Sequence, residues 1–190
     1  MNTKLFSVVA LSLLFFAGFT GCKKDDSEPE KNMAKIGAQT NATYGGFLSI
    51  SEKTVYAQAD AALNQAAIDI LCFYEEASDN FIALAAPGSN ISGIFTGETA
   101  PEFWTTLNQT YFTLPTTDIT VAQFDALVDG DAVIEGYFDA EQTSGNRKAK
   151  NMQVDDIWAF KTAAGTFGVL KVTAVEQGAT GYVEFEYKIK

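Results

Sequence analysis

Tyr182-Val183-Glu184-Phe185-Glu186-Tyr187-Lys188-Ile189 alternates without a break. Val183, Phe185, Tyr187 and Ile189 fall on one side, and Glu184, Glu186 and Lys188 fall on the other. A period of two is that of a β-strand with one buried and one wet face. Two apolar runs precede it. Ile157-Trp158-Ala159-Phe160 ends at Ala164-Gly165, and Phe167 to Val175 ends at Gln177-Gly178. Three such runs joined by short glycine-containing turns predict an antiparallel meander.

Further upstream the same signals recur. Phe47-Leu48 with Ile50, and then Thr54-Val55-Tyr56, predict two short strands around Ser51-Glu52-Lys53. Ile68 to Tyr74 is almost continuously apolar, as a central strand covered on both faces should be. Phe81 to Ala86 reads likewise and stops at Pro87-Gly88. Polar Glu75 to Asn80 suits the hairpin between them. The alanine-rich stretch Asp60 to Ala67 predicts a short helix. Val121, Phe124, Leu127 and Val128 recur at helical spacing and predict another, ended by Gly130. Pro101 opens a helical turn with Thr99 as its cap. Ala132 to Phe138 fits either a helix or a strand, and Thr143 to Asn151 reads as a basic, polar loop. The expected class is mainly β, an antiparallel β-sandwich with one or two short helices inserted between its halves.

The start of the chain is of another kind. After Met1-Asn2-Thr3-Lys4 comes an apolar run from Leu5 to Phe19. At about fifteen residues it matches a signal h-region and is short of a membrane span. Thr20-Gly21-Cys22 follows, then Lys23-Lys24-Asp25-Asp26. This arrangement resembles the lipobox of bacterial lipoprotein signal peptides, with Phe19 where a leucine is usual. The resemblance implies cleavage before Cys22 and lipidation of its thiolate, the nucleophile for diacylglyceryl transfer. Residues 1–21 are then the signal peptide, 22–35 a lipidated flexible tether, and 36–190 a single β-rich domain. The charged residues after Cys22 resemble the export signal of Bacteroidota surface lipoproteins. They imply a lipid-anchored protein of the outer membrane, with outward and inward display left open.

Composition excludes much. There are 13 basic and 24 acidic residues, a net charge of −11, and loss of Lys4 with the leader makes the mature chain more acidic still. Such a domain repels phosphate backbones, so nucleic acid is not an expected partner. With Cys22 committed to lipid, Cys72 has no partner for a disulfide and reads as a small buried hydrophobe. The chain contains no histidine, so Ser-His-Asp and Cys-His catalysis and His-ligated zinc or haem are excluded. Asp125, Asp129, Asp131, Glu135 and Asp139 cluster along the chain and read as a solvated helix face. Read as a calcium loop from Asp129, position five is Val133 and position six Ile134, where an EF-hand needs a ligand and glycine. No catalytic set, metal site or cofactor is assigned.

Two stretches carry a wider resemblance. The first runs through Thr43-Tyr44-Gly45-Gly46-Phe47, Ile68-Asp69-Ile70 and Ala85-Ala86-Pro87-Gly88. The second runs through Gly165-Thr166-Phe167-Gly168-Val169-Leu170-Lys171-Val172 and Gly181 to Lys188. Both resemble small Bacteroidota surface lipoproteins, and the closing pattern resembles HmuY-like haem-binding lipoproteins. Those are β-rich and hold haem iron with paired His or paired Met. That pair is missing here, with Met152 the single methionine beyond the tether, so the resemblance implies architecture and location. The expected function is a non-enzymatic binding or interaction module that meets an extracellular ligand, glycan or envelope protein. Trp104, Tyr111 and Trp158 are the candidate ligand-binding residues, because aromatic faces stack on sugar rings. A carbohydrate-binding or carbohydrate-active protein, and a structural or assembly accessory of the envelope, remain alternatives.

Overall fold

In a computed structural model that describes residues 31–77, 80–142 and 146–190, the alternating segment is strand β10 (Tyr182–Ile189). It pairs antiparallel with β9 (Phe167–Glu176) on one side and β1 (Asn32–Gly37) on the other. Next to β9 lies β8 (Ile157–Lys161), and next to that β6 (Tyr111–Thr113), so the first sheet runs β1-β10-β9-β8-β6. The second sheet holds β2 (Phe47–Ser49), β3 (Thr54–Tyr56), β4 (Ile70–Glu75), β5 (Phe81–Ala85) and β7 (Lys148–Ala149), in the order β3-β2-β4-β5-β7. The meander β8–β9–β10 and the near-continuous apolar strand β4 are as the sequence predicts.

The sheets close on a core that includes Ile36, Leu48, Ile70, Cys72, Leu84, Phe112, Phe160, Leu170, Val183, Phe185 and Tyr187. Burying each large side chain of this kind stabilises by about 1.5–3 kcal/mol. Gly168 pairs with Phe160 across the β8–β9 ladder. A Cβ there would lie 2.2 Å from Phe160 Cζ, so only glycine lets that ring lie across the strand. Between Val172↔Phe185 and Ala174↔Glu184 the register shifts, leaving Thr173 as the extra residue of a bulge. The bulge reverses the phase of β9, so that Val175 packs on the same core as Leu170 and Val172.

Three elements differ from the sequence reading. A strand not predicted from the sequence, β1, begins at Asn32 within the stretch read as tether, because β10 offers partners for Asn32 through Gly37. The basic loop contains β7, whose Lys148 and Ala149 pair with Ala85 and Leu84. The turn at Pro101–Phe103 has Ala100 at its cap position, while Thr99 Oγ1 instead accepts from Gln58 Nε2 at 2.9 Å.

Both outer faces are covered. Over the second sheet, α1 (Gln58–Leu63) and the segment from Ile91 to Trp104 bury Phe47, Leu71, Phe73 and Ala83. Over the first sheet lie α2 (Val121–Ala126) and α3 (Val133–Gly136), bringing Phe124, Leu127 and Ile134 onto Val169. Thr120 and Gln123 form a reciprocal capping box that starts α2. The ambiguous stretch after Gly130 is therefore helical in part, and the face of β10 read as wet is buried at Glu186 and Lys188.

Glu186 and Lys188 are 3% and 8% exposed. Lys188 Nζ approaches Glu186 Oε1 to 2.8 Å, and Lys31 and Lys171 lie 3.5 and 3.9 Å from Oε2. The Lys188 contact lacks hydrogen-bond geometry, so Oε1 has no donor. Lys171 also pairs with Asp125 and stands 4.9 Å over the Phe124 ring. Asp125, Asp129 and Glu135 of the acidic cluster are exposed, as a solvated face requires, and each also reaches a partner distant in sequence. Asp129 accepts from Asn32 Nδ2 at 2.7 Å and from the Ile189 N–H at 3.0 Å, and Glu135 pairs with Lys190.

Candidate functional site

The three aromatic candidates do not converge. Trp104 is 6% exposed, stacks 5.4 Å from Phe47, and donates its Nε1–H to the Thr99 carbonyl at 2.8 Å. It is core of the second sheet's outer face. Phe112 and Phe160 pair across β6 and β8 and both enter the central core. Alternation then puts Trp158 on the inner side of that sheet and Tyr111 on its outer side. Trp158 borders one cleft, and Tyr111 lines a separate pocket with Lys161 and Phe138. Met152 is fully buried between the sheets, and Met33 is on β1, so these two methionines form no ligand pair. Cys72 is buried, and burial pushes its thiol well above the ordinary range, leaving it inert. No group of three or more metal-ligating side chains occurs among the described residues. Cys22 lies outside them.

The cleft opens where the β6–β8 edge of one sheet meets the β5–β7 edge of the other. Its volume is about 640 Å³, within the range of ligand sites. The backbone sets its shape: Phe112 N–H donates to the Asn146 carbonyl at 2.8 Å, and Ala86 N–H to that of Arg147 at 2.9 Å. It is lined by Trp158, Phe112 and Leu114, by Arg147, Lys148 and Lys150 at the β7 edge, and by Ser89, Asn90, Thr113 and Asn146. Ala149 enters the central core, so alternation turns the Lys148 and Lys150 side chains to the outer side of the second sheet. No carboxylate is among these lining residues.

Arg147 is held by neutral acceptors. Its Nη1 donates to the Gly88 carbonyl at 2.6 Å and to Gln109 Oε1 at 2.7 Å. These bonds fix the guanidinium plane without compensating its charge. Burial lowers the Lys148 pKa from its usual value; the charges of Lys150 and Arg147 act in the same sense and Glu75 opposes them. A perturbed lysine beside a cleft is a physical pointer to a candidate site. The sequence reading saw Arg147-Lys148-Ala149-Lys150 only as a basic loop. The signal was there, three cations within four residues of an acidic chain, but nothing local joins it to Trp158.

The electrostatics of the cleft can be measured directly. With Trp104→Phe leaving Trp158 as the single indole, iodide should quench its fluorescence more strongly than caesium does, despite the net charge of −11. The local cations should outweigh the distant carboxylates at low salt, and the difference should fade as salt rises. Equal quenching by both ions would mean that the cleft has no positive potential.

Fold and cleft together define a class: a two-sheet antiparallel β-sandwich with both outer faces covered and one open, basic end. No family model matches the sequence, and no curated protein matches it. Among solved structures, a DUF4466 family protein from Parabacteroides merdae, of the Bacteroidota, is similar, with a TM-score of 0.51 and 20% identity. The match covers 84% of this chain and 54% of that one, so this chain spans about half of that protein's length. At this identity the likeness is one of fold.

Proposed function

We propose that this chain is a lipid-anchored extracytoplasmic binding protein that takes its ligand in the cleft beside Trp158, without chemical turnover. The observation that carries the binding role is the cleft: an indole and three cations with no carboxylate within 4 Å among the described residues, and no acid–base pair in the lining. A retaining or inverting glycosidase needs two carboxyl groups about 5–9.5 Å apart across its cleft, and this lining holds neither. Anchorage rests on the leader, on Cys22 and on the hydrophilic residues after it. Strand β1, which follows the tether, is at one edge of its sheet and β6, at the cleft, is at the other. Four strand spacings separate them, about 19 Å, so a body held through β1 carries its cleft on the side away from the attachment point.

Cys22→Ala should move the protein from the membrane fraction to the soluble fraction, because it removes every acyl chain, each CH₂ of which contributes about 0.8 kcal/mol when buried in the bilayer. Unchanged membrane association would refute the anchor. For the binding role, the full chain is applied to an array of glycans and small molecules. Binding of an array member, lost in Trp158→Ala with an unaltered unfolding midpoint, is the expected result. An empty array would overturn the cleft as a binding site, and hydrolysis of any member would overturn the absence of turnover.

A further inference from the structure

We infer that the cleft selects an acidic glycan, a sugar chain bearing carboxylate or sulfate groups; this rests on reading the cleft as a binding site. The distribution of charge carries it. Of the cations among the described residues, Lys31, Lys35, Lys53, Lys171, Lys188 and Lys190 each have a carboxylate within 4 Å. Arg147, Lys148, Lys150 and Lys161 have none among the described residues. The first three line the cleft, and Lys161 is the ladder partner of Tyr111 on the adjoining strand β6. Acidic residues outnumber basic ones 24 to 13, so a cation without a carboxylate nearby is not explained by a shortage of acids. Three of the four line this one cleft, while Lys161 is with Tyr111 on the outer side of the first sheet.

The remaining chemistry narrows the anion. Lys148 and Lys150 hold their ammoniums 5.3 Å from the Phe73 ring and 5.9 Å from the Phe81 ring, on the outer side of the second sheet, so they reach a ligand in the cleft only by swinging on flexible stems. Arg147 gives both Nη1 hydrogens to Gly88 and Gln109, which leaves its Nε–Nη2 edge for a planar carboxylate or a sulfate. A bare inorganic anion would leave most of about 640 Å³ unfilled. Trp158 supplies a flat apolar face for a sugar ring, and the amides of Asn90 and Asn146 supply donors and acceptors for ring hydroxyls.

The test is titration of the full chain, with Trp104→Phe so that Trp158 reports, against four probes: oligogalacturonate, dextran sulfate, neutral dextran and poly-L-glutamate. One or both of the acidic glycans should bind, losing affinity as salt rises, and the tighter of the two tells carboxylate from sulfate. Lys148→Gln/Lys150→Gln, which leaves Arg147 and its scaffold in place, should weaken that binding by about tenfold, the sum of two partly exposed charge contacts. It should also leave the unfolding midpoint unchanged or raised, since it removes mutual repulsion. Neutral dextran binding as tightly as the acidic glycans would overturn the selectivity while leaving the binding role intact. Poly-L-glutamate binding equally well would overturn the sugar class. Silence with all four probes would overturn the inference alone, the array above remaining the judge of the binding role.

Discussion

Glu186→Ala should cost about 3–5 kcal/mol of folding stability, the range for removing one member of a buried charge set. The substitution leaves Lys171 and Lys188, whose side chains are 10% and 9% exposed, beside Phe124 without their shared carboxylate. Lys171 keeps Asp125, but Lys188 has no other carboxylate within 4 Å among the described residues. For a domain whose whole stability is about 5–15 kcal/mol, this is a large fraction. The comparison is with Glu184, two residues earlier on the same face of β10. It pairs with Lys35 at 3.3 Å, and both side chains are about 30% exposed, so Glu184→Ala should cost no more than about 1 kcal/mol. Urea midpoints at constant slope measure both. A third variant, Lys171→Met/Glu186→Leu/Lys188→Met, tests the reason for the loss. If the penalty comes from stranded charge, an apolar replacement of the whole set should restore most of the stability. Glu186→Ala no worse than Glu184→Ala would show that the outer face of β10 is open to water.

Trp104→Ala should also cost about 3–5 kcal/mol, as large aromatic truncations in packed cores do. Its ring fills the layer over the second sheet against Phe47, which in turn contacts Phe95 at 5.2 Å between centroids. Removal opens a cavity under the segment that runs from Ile91 to Trp104 and loses the hydrogen bond to Thr99. A loss of binding in this variant would reflect a loosened fold. Trp158→Ala separates the two roles, since Trp158 sits on the cleft and only partly in the core. A Trp104→Ala protein with wild-type stability and altered ligand affinity would return Trp104 to the site.

The class of fold was legible because strands announce themselves through period and punctuation. The runs at Phe47, Ile70, Phe81, Ile157, Phe167 and Tyr182 all became strands near their expected limits. What escaped was everything that depends on a neighbour. The short strand β7 has only two residues and no apolar alternation; it exists because β5 presents an edge. The start of β1 at Asn32 lies within a hydrophilic run, and pairing with β10 overrides that composition. Alternation in β10 correctly named the inner face and misjudged the outer one. Glu, Lys and an adjacent helix can bury each other when the charges cancel, and a period of two records only which residues share a face.

The site divides along the same line. Trp104 and Trp158 are indistinguishable as residues in a sequence, yet one closes a core and the other borders a cleft. Taken by itself, the sequence determined the acidic balance, the lack of histidine and the β class, and it is the ground for the proposed leader and lipid anchor, because each depends on composition or on spacing along the chain. Only the tertiary structure decided which cations go without carboxylates and which indole stands beside them, because charge compensation and burial are set by residues distant in sequence. Arg147 meets Gly88 and Gln109, 59 and 38 positions away, and no local pattern encodes that meeting.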